Sequence, residues 1–159
     1  MTHTLVLGMG NPILSDDGLG LYVAGRLQDR ALPAGVEVQQ SEVGGLRLLE
    51  LVRGFTKVVI IDAIKSDREP GEIVRLDGRE FMGGHRYGSA HSIHLGTALD
   101  LGEKLGYDMP REIVVYAVEA VDVETFGETM SPPVVTAAER VVELVWEEIG
   151  ERGAPPAAG

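Results

Sequence analysis

Cysteine is absent from all 159 residues. That absence removes disulfide cross-links, thiolate metal ligands and a cysteine nucleophile together, and it fits a reducing compartment. Positive charge is scarce as well. Fourteen lysines and arginines stand against 25 aspartates and glutamates, a formal charge of −11. No run of four basic residues exists, and so acidic a surface repels phosphate backbones, so nucleic acid is not an expected partner. No apolar run approaches the roughly 20 residues that span a bilayer, and residues 1–4 lack the basic start and apolar centre of a secretory leader. The expectation is a cytoplasmic protein with no membrane partner, acting as a monomer.

With 44% apolar and 25% charged residues, the chain has the composition of an ordinary globular domain long enough to bury a full core. One domain is expected over residues 1–152. Residues 153–159, all alanine, proline and glycine, are expected to form a flexible tail. Strands are expected at residues 5–7, 36–40, 57–62, 72–76 and 113–118, where short apolar runs are bounded by turn residues. Helices are expected at 16–29, where Leu19, Val23 and Leu27 share a face, and after Gly44 and Gly45 through Leu46–Val52. Two more are expected at 91–105 and from Ser131-Pro132 to about Gly150, the last opened by an N-cap followed by proline. Residues 77–90 read as irregular. The order βαβαββαβα predicts a three-layer α/β/α domain with a mostly parallel twisted sheet. The link from Asp62 to Glu72 is too short for a helical crossover, so the fourth strand is expected to run antiparallel.

Against that frame three residues gather. Asp17 follows the first strand and its glycine turn Gly8-Met9-Gly10, Asp62 ends the third strand, and His91 opens a helix. Open α/β sheets put their sites at the C-terminal ends of parallel strands. Two carboxylates and an imidazole, completed by water, suit a divalent ion such as zinc or nickel. Each residue also has a plainer reading. An acid in a first helical turn interacts favourably with the helix dipole, and the division adopted is Asp16 as cap and Asp17 as ligand. Asp62 can shape a strand-end loop, and His91 can be a helix-start histidine. His94 shares the face of His91 and reads as core or support, while His3 and His85 have no supporting context. The acids Glu119, Asp122, Glu124 and Glu128 follow the fifth strand and read mostly as a solvated loop. The glycine turn is a poor dinucleotide motif: a third glycine at the right spacing is missing, and so is the lysine of a phosphate loop.

Taken in order, Gly8-Met9-Gly10-Asn11, Asp16-Asp17-Gly18-Leu19-Gly20, Ile61-Asp62-Ala63, Ser89-Ala90-His91 and Met130-Ser131-Pro132 resemble the hydrogenase maturation endopeptidases over about residues 4–150. This family trims the C-terminus of nickel-iron hydrogenase large subunits. The resemblance implies that Asp17, Asp62 and His91 are both the catalytic and the metal-contacting positions. It also implies that the metal is nickel already inserted in the precursor, with zinc or cadmium as surrogates and no organic cofactor. The implied partner is the hydrogenase large-subunit precursor, which closes over its cofactor once a short extension is removed. The metal polarising the scissile carbonyl, the metal activating water, and a carboxylate acting as general base all remain open. Where the family often carries Asp-Gly-Gly, this chain reads Gln40-Ser41-Glu42, followed by Val43-Gly44-Gly45, so no aspartate role transfers there.

Two other readings compete. The opening Val6-Leu7-Gly8-Met9-Gly10-Asn11-Pro12 is similar to that of the peptidyl-tRNA hydrolases. Residues 12–40 hold no histidine, though, and the net charge has the wrong sign for tRNA. A non-catalytic Rossmann-like binding module explains the glycines and the sheet, but not the convergence of two acids and a histidine.

Overall fold

The computed structural model describes residues 3–42, 46–83 and 90–151; side chains are not described at 46, 82–83, 90–94 and 151. Five strands form one sheet in the order β2-β1-β3-β5-β4. They are β1 (Thr4–Met9), β2 (Val36–Ser41), β3 (Lys57–Ile64), β4 (Ile73–Asp77) and β5 (Glu112–Glu119). The helices are α1 (Leu19–Gln28), α2 (Leu46–Val52), α3 (Gly78–Gly83), α4 (Ala90–Lys104) and α5 (Pro132–Glu151). All pairings are parallel except β4 with β5. The fourth strand is antiparallel as expected, but its neighbour is β5, which inserts between it and β3. Residues 78–83, expected to be irregular, form α3. Phe81 explains this, because it is fully buried and needs an ordered turn to reach the core.

Two apolar layers sandwich the sheet. Val6, Val59 and Ile61 face a layer built by α1 and α5, with Leu19, Val23, Leu27, Val141 and Val145. Leu5, Leu7, Ile60 and Ile64 face the opposite layer, with Leu48 from α2, Phe81 from α3 and Leu95 from α4. This alternation is the pleat of a strand buried on both faces. Every residue of β1 and of β3 is buried. The three-layer α/β/α architecture is therefore present, with a mostly parallel sheet at its centre.

The topology itself fixes where a site can form. From β1 the chain crosses by α1 to β2 on one side, and then returns by α2 to β3 on the other side. Strand order reverses between β1 and β3, and the crossovers diverge there. A crevice opens at such a switch point, outside the carboxyl ends of the two strands.

Candidate active site at the switch-point crevice

Between β1 and α1 lies a turn of 3-10 helix, Ser15–Gly18, where a continuous α-helix was expected from residue 16. Glycines let this turn approach the sheet. A Cβ on Gly20 would stand 2.3 Å from the Met9 carbonyl oxygen and 2.4 Å from that of Ile61. One on Gly10 would stand 1.9 Å from the Asp17 carbonyl oxygen. No side chain fits either place. Gly20 is three residues past Asp17, and Ile61 is the residue before Asp62. Their contact brings the two aspartates to the same end of the sheet.

Asp17 is half-buried. Its Oδ2 accepts the backbone N–H of Asn11 at 3.0 Å, and its carbonyl accepts the same N–H at 3.2 Å. The glycine turn therefore orients the carboxylate. Asp62 is fully buried. It lies two residues inside β3, because the strand continues to Ile64 where the sequence suggested an end at 62. Ile60 and Ile64 both face the layer of α2, α3 and α4, so the pleat directs Asp62 to that side. His91 is the second residue of α4, on the same side of the sheet and one turn before the buried Leu95. Its side chain, and that of His94, lie outside the described residues, as do His85 and the 153–159 tail. Among the described residues no group of three His, Asp or Glu is placed to hold a metal; that group of residues does not include the His91 imidazole.

Asp16 does not cap the helix. No side-chain cap bond is made at either the turn or α1. The carboxylate is fully buried and clamps the segment after β5 instead. Its Oδ2 accepts Val121 N–H at 2.8 Å, Asp122 N–H at 3.0 Å and the Ser131 hydroxyl at 3.0 Å. Its Oδ1 accepts Ser131 N–H at 2.6 Å. Nothing in the local sequence announces this, because the donors lie more than 100 residues away. Ser15 extends the clamp. Held at φ 53°, a conformation unusual for a residue with a Cβ, it donates N–H to the Gly127 carbonyl and its hydroxyl to the Thr129 carbonyl.

The acids after β5 divide by role. Glu119 is buried and accepts the N–H and hydroxyl of Ser66. Asp122 accepts the N–H groups of Glu124 and Thr125, and the Thr125 hydroxyl and N–H hold its carboxyl below the usual range. Glu124 and Glu128 are exposed.

Comparison with known proteins names the family. The model of the hydrogenase maturation proteases matches residues 21–148. The chain is 31% identical to the hydrogenase expression/formation protein HoxM of Azotobacter vinelandii, over 98% of this chain and 76% of that protein. The fold superposes on the hydrogenase maturating endopeptidase HybD from E. coli with a TM-score of 0.85, at 27% identity, covering 96% of this chain and 94% of that one. The [NiFe] hydrogenase maturation protease HybD from Thermococcus kodakarensis gives 0.72 at 30% identity, covering 97% and 100%. The chain belongs to the hydrogenase maturation protease family, whose members are endopeptidases. No helix among the described residues is long and apolar enough to cross a membrane.

Proposed function

We propose that this chain is the endopeptidase that removes the C-terminal extension from a nickel-loaded hydrogenase large-subunit precursor. In this reading Asp17, Asp62 and His91 contact the nickel carried by the substrate. The observation that carries it is the packing of the Asp17 turn, through Gly20, against the end of β3 that bears Asp62. Carboxylates crowded at one rim repel each other, and a cation offsets that repulsion. An oxygen and nitrogen donor set of this kind suits a divalent transition metal.

Recognition through the substrate's metal makes the protease conditional. Without nickel the rim has no cation to grip, and the precursor is not held for cleavage. The test is a gel-shift processing assay on nickel-loaded and nickel-free precursor. Cleavage of the loaded form alone is the expected result, and equal cleavage of both forms contradicts metal recognition. A second, activity-free readout is the thermal midpoint with excess nickel or cadmium, which rises if the native rim binds the ion.

A further inference from the structure

Beside the Asp17 turn, on the side away from Asp62, lies a recess of about 300 Å³ lined by Pro12, Gly18, Leu21, Tyr22, Glu128 and Met130. The segments that supply Pro12 and Glu128 to its lining also carry two large exposed apolar side chains: Phe126 is 79% exposed and Ile13 48%. They come from segments 113 residues apart in the chain, but the backbone joins them. Leu14 bridges Gly127 in parallel, and Gly127 N–H donates to the Ile13 carbonyl at 2.8 Å. Ile13 and Phe126 each precede the bridged pair, so they are lateral neighbours and form one apolar ridge. Ser15 holds Gly127 and Thr129, and Asp16 holds Val121 and Ser131 on either side, so this segment is fastened to the turn bearing Asp17.

Single exposed apolar residues are ordinary. Two held on bridged segments, each within two residues of the recess lining and on segments fastened to a candidate active site, mark an interaction surface. Its electrostatics select the partner. Glu124 and Glu128 flank Phe126, and no lysine or arginine occurs from residue 112 to 139. We propose that this ridge and recess dock the precursor polypeptide itself, through a segment presenting an apolar side chain beside a lysine or arginine. The apolar group enters the recess, the aliphatic and aromatic ridge covers it, and the basic group meets Glu124 or Glu128. The inference rests on the endopeptidase reading and supplies what metal recognition lacks, a protein contact that aligns the chain to be cut.

The test is the KM and kcat of precursor processing by full-length Phe126→Ser, Ile13→Ser and Glu124→Gln/Glu128→Gln variants. Each should raise KM, the Phe126→Ser variant by about tenfold, and leave kcat within about twofold of the parent. The double glutamate variant should also flatten the salt dependence of KM. Leu105→Ser, an exposed apolar residue just past the far end of α4, should change neither constant. Unchanged KM in Phe126→Ser and Ile13→Ser overturns the docking surface while leaving the protease reading intact. A parent protein that cleaves no nickel-loaded precursor overturns both. Conversion of a dimer to a monomer by Phe126→Ser at unchanged KM assigns the ridge to self-association and overturns the proposal.

Discussion

The two ends of the sheet each bury a carboxylate, and they satisfy it in opposite ways. At the start of β3, Glu148 is met by cations: Lys57 Nζ donates at 2.9 Å and Arg75 Nε at 2.8 Å, with the Tyr116 hydroxyl at 2.8 Å. At the far end, Asp16 is met by three backbone N–H groups and a hydroxyl, all neutral. Both solutions pay the desolvation cost of a buried charge. Only the first cancels the charge. The Asp16 clamp adds no positive charge at the rim, so it does nothing to neutralise the neighbouring Asp17 and Asp62. One end of the sheet holds its buried carboxylate with two cations, and the other holds its own with neutral donors that also fix the turn bearing Asp17.

Substitutions can break that comparison. The largest effect is expected on processing: Asp17→Asn, Asp62→Asn and His91→Ala should each lower the rate by about a hundredfold or more with the thermal midpoint nearly unchanged. Next, Glu148→Ala leaves the buried Lys57 with only the more distant, exposed Glu112 carboxylate at 3.8 Å and should cost about 3–5 kcal/mol of stability by denaturant unfolding. Asp16→Ser shortens the clamp and leaves part-buried N–H groups of Asp122 and Ser131 unmet, for a loss of about 2–3 kcal/mol, and processing should fall because the turn bearing Asp17 loosens.

A pH titration of stability isolates the Glu148 cluster. Burial works against ionisation of Glu148, but hydrogen bonds from Arg75, Lys57 and Tyr116 outweigh it and hold the group at about 2, against an ordinary value of 4.5. The folded value is depressed, so this stability is fully present above the unfolded value and is lost as pH falls from 4.5 towards about 2. Tyr116 moves the other way, pushed from 10 to about 12 by burial and by its bond to Glu148. Its contribution is lost as pH rises across that interval. The smallest effect belongs to the surface: Arg26 and Glu139 are both nearly half exposed, and a double-mutant cycle on this pair should give less than about 1 kcal/mol.

Much of this architecture is legible in the sequence because its signals are local. Buried strands read as apolar runs, Ser131-Pro132 opens α5, and the short link after Ile64 forces an antiparallel strand. The positions of Asp17 and Asp62 near the C-terminal ends of β1 and β3 are legible for the same reason, although β3 runs two residues past Asp62. What escaped was non-local. Asp16 reads as a cap because its true donors, Val121, Asp122 and Ser131, lie far along the chain. The direction of β4 is legible from the short link before it, but its partner is not, because nothing nearby says that β5 inserts between β3 and β4. α3 was hidden in a glycine-rich stretch whose one strong signal, Phe81, takes its meaning from the core it reaches. The Ile13–Phe126 ridge is likewise invisible until the Leu14–Gly127 bridge brings the two segments together.

Asp62→Asn and Glu148→Gln, each assayed for thermal midpoint and for processing of nickel-loaded precursor in the same preparation, test the division of labour most directly. The account predicts that Asp62→Asn keeps its midpoint and loses processing, whereas Glu148→Gln loses midpoint and still processes below its unfolding temperature. Full processing by Asp62→Asn, or loss of processing by folded Glu148→Gln, would contradict it.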